Sequence, residues 1–149
     1  MSPPRWLSPA EQRTWRHFLR ASQYLWEQLD RQLQHDAGMP LAYYQMLSML
    51  SEAPNRTLRM SELADRTWSS RSRMSHAVDR LEEKGWVRRV SCPSDKRGAF
   101  AELTDAGFAV LETAAPSHVE GVRRHLFDRL KPAQVAALGE ISEAIADSP

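Results

Sequence analysis

The chain has 149 residues, of which 42% are hydrophobic and 26% charged, with a formal net charge of +1. This length suits one domain or one domain with an extension, and the hydrophobic share is too high for a disordered chain. No run approaches the roughly 18 apolar residues of a membrane span, the start Met1-Ser2-Pro3-Pro4-Arg5-Trp6 lacks the apolar core of a signal peptide, and a lone cysteine, Cys92, rules out an internal disulfide and fits a reducing cytoplasm.

Ser8-Pro9-Ala10-Glu11 opens the first helix. Ser8 can cap, Pro9 suits the first helical position, and Glu11 completes a capping box. Apolar residues then recur at Trp15, Phe18, Leu19, Leu25, Trp26, Leu29 and Leu33, a helical spacing sustained to about Asp36. A helix of about 26 residues is about 39 Å long. That exceeds what a small monomeric core covers, so part of the stripe is expected to meet a second chain. Gly38 and Pro40 end it. A second helix is predicted over 41–52, with Tyr44, Leu47 and Leu50 on one face, and Ala53-Pro54-Asn55 breaks it. Thr57-Leu58-Arg59 reads as a very short strand and Met60 to Thr67 as a short helix. Trp68 and Ser69 form a turn. Ser70 caps a helix from Arg71 to Lys84, which Gly85 terminates.

Two extended runs follow, Trp86 to Ser91 and Ala99 to Leu103, around a polar tip from Cys92 to Gly98 that holds Asp95, Lys96 and Arg97. A long helix is predicted from Thr104 to about Leu130, kinked at Pro116. Lys131-Pro132 leads into a last helix with Val135, Leu138, Ile141 and Ile145 at helical spacing.

Charge is uneven along this layout. Residues 55–100 hold 11 Lys/Arg against 6 Asp/Glu, a local excess of +5, while the rest of the chain carries −4. A positive field on one module is a footprint for phosphate. An amphipathic, Arg-rich helix followed by a basic hairpin is the pattern of a winged helix-turn-helix. The fold class expected is therefore mainly α with a small β-hairpin wing. The winged module spans 39–104, and 1–38 with 105–149 form helical dimerisation regions.

The run Glu62-Leu63-Ala64-Asp65-Arg66, then Ser70 to Gly85, then Asp95-Lys96-Arg97, then Leu103-Thr104-Asp105-Ala106-Gly107 resembles the MarR family of transcription regulators. The resemblance extends from Ser8 to Ile145 in element order and lengths. Its most specific part is Asp-x-Arg in the wing followed by Leu-Thr-x-x-Gly. It implies an obligate homodimer with intertwined terminal helices and two winged lobes on a pseudo-palindromic operator in double-stranded DNA. Repression is the expected sign, and the resemblance implies relief of DNA binding by a small ligand or an oxidant. Arg59 departs from the family pattern, standing where a Ser or Thr cap is common. The cysteine of the family's peroxide sensors lies near the start of the first helix, and this chain has none there.

On the helix after Ser70, spacing turns Met74, Ala77, Val78 and Leu81 inward. The other face offers Arg71, Ser72, Arg73, Ser75, His76 and Arg80. Early positions of a recognition helix reach base edges and later ones phosphate. Arg71, Arg73 and His76 are thus expected in the major groove, where an arginine can bridge guanine O6 and N7. Ser72 and Ser75 allow close approach, and Arg80 suits the backbone. The resemblance places Arg97 in the minor groove, with Asp95 shaping the wing and Lys96 on phosphate. Arg88 and Arg89 alternate in a strand, so at most one faces DNA.

Weaker readings remain beside this one. The family's effector cleft would draw here on Trp15, Tyr24, Tyr43, Tyr44 and Met46, whose rings could stack an aromatic compound. The competing account is that these are core residues. Cys92 beside Arg88 and Arg89 allows a redox-responsive regulator. A winged dimer serving only as a protein-interaction module is the other alternative. No catalytic, cofactor or metal role is expected. Ser75, His76 and Asp79 sit on one helix without a nucleophile turn, and no carboxylate or thiol completes a set with His118 and His125.

Overall fold

The computed structural model describes residues 2–67, 69–92 and 95–146, with only the backbone of residues 92 and 95–97. Six α-helices and three strands follow in order: α1 (Pro9–Ala37), α2 (Leu41–Glu52), β1 (Thr57–Arg59), α3 (Met60–Arg66), α4 (Arg71–Glu83), β2 (Val87–Cys92), β3 (Asp95–Leu103), α5 (Asp105–His125) and α6 (Pro132–Ala146). The predicted turn residue Trp68 lies outside the described residues. The chain forms two compact units, residues 30–119 and residues 1–29 with 120–149.

In the unit of residues 30–119, the strands make an antiparallel sheet in the order β1-β3-β2. Leu47, Leu50, Leu58, Leu63, Val78, Leu81, Val87 and Ala101 are buried together with Met74 and Leu103. They come from α2, all three strands, α3 and α4, each supplying the face that its own period turns inward. The end of α1 joins this unit. Asp30 Oδ1 accepts from the Leu41 amide at 2.9 Å, Gln32 Nε2 donates to the Ser117 carbonyl at 2.7 Å, and Ser117 Oγ donates to Asp36. The His118 ring packs against that of Tyr44, a core residue of α2, with centroids 4.2 Å apart and planes tilted by 40°.

In the other unit, the predicted capping box opens α1. The Glu11 amide donates to Ser8 Oγ at 3.2 Å, and Glu11 Oε2 accepts from the Ser8 amide at 2.7 Å. These bonds hold the Glu11 carboxyl below its usual range. At 29 residues, α1 is longer than the pattern predicts. Tyr24 Oη lies 3.2 Å from His125 Nδ1 and accepts from Arg129 Nη2 at 2.9 Å. No described residue of α6 is buried.

Two further boundaries differ from the sequence reading by more than a residue. The helix expected to reach Leu130 ends at His125, and a 3-10 turn, Phe127–Arg129, follows. Leu126 leaves the helical region at φ −126°, ψ −74°, and the Arg129 and Leu130 amides take short-range bonds to the Leu126 and Phe127 carbonyls. The second wing strand begins at Asp95 instead of Ala99. Ser91 pairs with Ala99 and Cys92 with Asp95, so residues 96–98 form a bulge that β2 does not match. Polar, glycine-containing Asp95-Lys96-Arg97-Gly98 carries little strand signal of its own; the pairing of Cys92 with Asp95 imposes it.

Candidate nucleic-acid interface

Helix α4 is set by both of its ends. Ser70 Oγ accepts from the Arg73 amide at 3.2 Å, the predicted cap. At the other end Gly85 takes φ +75°, its amide bonds the Glu82 carbonyl at 2.9 Å, and the Trp86 amide bonds Leu81 at 3.0 Å. This is a Schellman termination, and a left-handed residue there favours glycine. Met74, Val78 and Leu81 are buried, as the spacing predicts, and Ala77 is half-buried. Arg71, Ser72, Arg73, His76 and Arg80 are exposed.

The charges on this face are not arranged for stability. The first turn of α4 carries no acidic residue but holds Arg71 and Arg73. The positive end of the helix dipole makes cations unfavourable there. Among the described residues, Arg71, Arg73 and Arg80 have no carboxylate partner. Neighbouring arginines do: Arg56 pairs with Asp105 at 3.2 Å, Arg66 with Glu62 at 2.7 Å, and Arg88 Nε with Glu102 at 2.7 Å. Three exposed guanidinium groups on one helix thus lack a carboxylate partner among the described residues.

Arg89 behaves differently from its neighbours. Its Nη1 donates to Asp79 at 2.5 Å and Glu82 at 3.3 Å, and its Nη2 to the Ser75 carbonyl at 3.0 Å and Ser75 Oγ at 3.2 Å. Arg88 and Arg89 do lie on opposite faces, and each is held within the protein. The sequence reading missed the Arg89 connection. The available signal was Ser75, Asp79 and Glu82 at spacings of four and three, three polar residues on one stripe of a helix followed closely by an arginine. Ser75 is half-buried by this contact, so of the helix positions expected to meet DNA it is the most enclosed.

The wing's backbone is anchored from behind. The Thr104 amide donates to the Trp86 carbonyl at 3.0 Å, Thr104 Oγ1 donates to Gly85 at 2.6 Å, and the Gly107 amide donates to Thr104 Oγ1 at 3.0 Å. A Cβ on Gly107 would stand 2.1 Å from the Trp86 carbonyl oxygen. The Leu-Thr-x-x-Gly sequence therefore supplies a core leucine, a helix cap and a close approach. Arg59 heads α3 without a side-chain cap, and its guanidinium lies 5.1 Å from the Phe100 ring centroid. The side chains of Cys92, Asp95, Lys96 and Arg97 lie outside the described residues; the backbone puts Lys96 and Arg97 in the bulge.

The five aromatic and methionine positions expected to line an effector cleft are divided. Tyr44 and Met46 are core residues and Tyr43 is half-buried, all in residues 30–119. Trp15 and Tyr24 belong to the other unit, where Trp15 is half-exposed and stacks on Phe18 at 6.2 Å. Tyr24 borders an open hollow of about 950 Å³, with Phe18, Leu25, Leu126, Leu130 and Leu138. No grouping of His, Cys, Asp or Glu fit for a metal occurs among the described residues. Asp79 is engaged by Arg89, so it forms no relay with His76. Among the described residues, no helix is long and apolar enough to cross a membrane.

The sequence profile of the MarR family matches residues 37–98. The chain is 55% identical to Sco3205, a MarR family transcriptional regulator from Streptomyces coelicolor solved in complex with DNA, over 98% of this chain and 93% of that one, with a TM-score of 0.93. It is 41% identical to AbsC from the same organism, over 97% of both chains, with a TM-score of 0.90. PecS from Dickeya dadantii is 35% identical over 63 residues, and that stretch spans only 38% of PecS. Similarity running from end to end of Sco3205 and AbsC means that the chain belongs to the MarR family of transcriptional regulators, which are not enzymes.

Proposed function

We propose that this regulator binds double-stranded DNA as a homodimer on a pseudo-palindromic operator and represses transcription in the cytoplasm. The observation that carries the reading is the outer face of α4: Arg71, Arg73 and Arg80 are exposed, unpaired among the described residues, and partly opposed to the helix dipole. Phosphate and base edges supply the missing acceptors. On this reading Ser70, Arg71, Ser72, Arg73, Ser75, His76 and Arg80 meet the major groove and its flanking phosphates. Asp95, Lys96 and Arg97 form the wing's contribution. That Sco3205 was solved with DNA supports the same partner here.

Dimerisation is supported by the unit of residues 1–29 and 120–149. It leaves Trp6, Trp15, Phe18, Leu19, Trp26, Ile141 and Ile145 in the open. A second copy is the occupant that a symmetric regulator provides. A small aromatic effector would find rings and aliphatic side chains at the Tyr24 hollow, and relief of DNA binding by such a ligand is part of the proposal.

A fluorescence-anisotropy titration on a duplex from the protein's own upstream region tests the DNA reading, across salt concentrations and with candidate phenolic compounds. Affinity is expected to fall steeply with salt, and Arg71→Ala and Arg73→Ala each to weaken binding by about 1–3 kcal/mol. Binding that is flat with salt, or unchanged in both variants, would remove the proposal.

A further inference from the structure

We propose that Arg89 is a positioning residue for DNA binding: it bolts the wing to the recognition helix, so that both enter one duplex as a single rigid reader. The inference rests on the DNA-binding reading above and adds a residue that itself stays off the DNA. Covalently, α4 and β2 (Val87–Cys92) are joined only through the short turn at Gly85. The base of the hairpin is held by β1, which pairs with β3, and by the buried Val87, Ala101 and Leu103, while its tip, carrying Lys96 and Arg97, projects beyond this anchorage.

Arg89 adds a polar clamp between the hairpin and α4. From one position in β2 it reaches Ser75, Asp79 and Glu82, which stand on successive turns of α4. Its own amide adds a bond to Glu82 Oε2 at 2.8 Å, so backbone and side chain are tied to the same helix. The guanidinium fork spans two carboxylates, a backbone carbonyl and a hydroxyl at once, which a single ammonium point cannot do. The side chain is only 30% exposed, against 63% for Arg88. Arg88 pairs with Glu102 on the adjacent strand and stiffens the sheet alone. Arg89 is therefore the charge that sets the wing against the helix.

The test uses the full chain and a duplex that it enriches from a random-sequence pool. Fluorescence anisotropy compares the unaltered protein, Arg97→Ala, Arg89→Lys and the double variant. Lysine keeps the charge and loses the fork. Arg89→Lys is expected to weaken binding at least about tenfold. In that background Arg97→Ala should cost less than about twofold, because a wing that is no longer held has little groove contact left to lose. Asp79→Asn should repeat the pattern in milder form, and it carries the test if thermal melting shows that Arg89→Lys does not fold. A merely structural role would lower the melting temperature and leave the two losses multiplicative. That multiplicative result overturns the inference, as does undiminished affinity in Arg89→Lys and Asp79→Asn. An Arg97→Ala protein that binds as tightly as the unaltered one overturns it too, by taking the wing off the DNA. If the unaltered chain enriches no duplex, the DNA-binding reading falls first and Arg89 falls with it.

Discussion

Gly107 shows how a single missing atom can be structural. Its φ is unremarkable, so the requirement is not conformational freedom. The Trp86 carbonyl oxygen and Leu103 Cδ1 occupy the places next to its absent Cβ, at 2.1 and 2.7 Å. The obstacle on one side is backbone, which cannot rotate away. Gly107→Ala should lower unfolding free energy by about 1–3 kcal/mol, the cost of overpacking, as read by urea denaturation. An unchanged midpoint would mean that α5 can shift without loss. His118 gives a second prediction at this scale. Its Nδ1 is buried with no hydrogen-bond partner among the described residues, and burial holds the imidazole below the ordinary histidine value of 6.5. As pH falls through 6.5 the unfolded chain takes up this proton before the folded chain does. Stability should therefore be complete above that value and decline below it, until the folded imidazole also protonates. His118→Phe keeps a ring against Tyr44 and removes the proton site. Its melting temperature should vary less between pH 7.5 and 5.5 than that of the unaltered protein, and an equal slope would clear His118 of the effect.

At the scale of elements, α4 was the most legible part of the chain because its start, stop and inner stripe are all local signals. Ser70, Gly85 and the spacing of Met74, Val78 and Leu81 need no tertiary information to be read. Ser70→Ala should cost about 1 kcal/mol by losing the bond from the Arg73 amide, measurable by thermal unfolding. A neutral result would show that solvent replaces that bond fully. The wing was less legible. Its existence follows from two extended runs around a polar tip, but the start of β3 at Asp95 and the bulge at 96–98 depend on cross-strand pairing, which leaves no mark in residue type. The role of Arg89 was hidden for a related reason: alternation says which face a strand residue takes, and only the packing of α4 against β2 says what waits there. The aromatic positions were hardest of all. A ring that lines a ligand cleft and a ring in a core share the same helical spacing, and Tyr44 and Met46 turned out to be core.

For the molecule as a whole, the contrast between the two units bears on the proposed assembly. Residues 30–119 bury a core assembled from their own helices and sheet. Residues 1–29 with 120–149 place Trp6 at 86%, Ile145 at 62% and Ile141 at 55% exposure, and the described part of α6 buries nothing. Large apolar side chains exposed to this degree support the proposed association surface. With Ile141 and Ile145 one helical turn apart, Ile141→Asp with Ile145→Asp puts two charges on one stripe of that surface. Sedimentation velocity should show the unaltered chain as a dimer and the double variant as a monomer that keeps its helical circular dichroism. DNA binding reports the same event independently. Two linked lobes reading two half-sites gain an effective concentration that a single lobe lacks, so the monomeric variant should bind its duplex about a hundredfold more weakly or worse. It should do so although every residue of α4 and the wing is intact. A double variant that stayed dimeric would move the interface away from α6. One that became monomeric yet kept full affinity would separate DNA recognition from assembly and leave the two-fold operator without support.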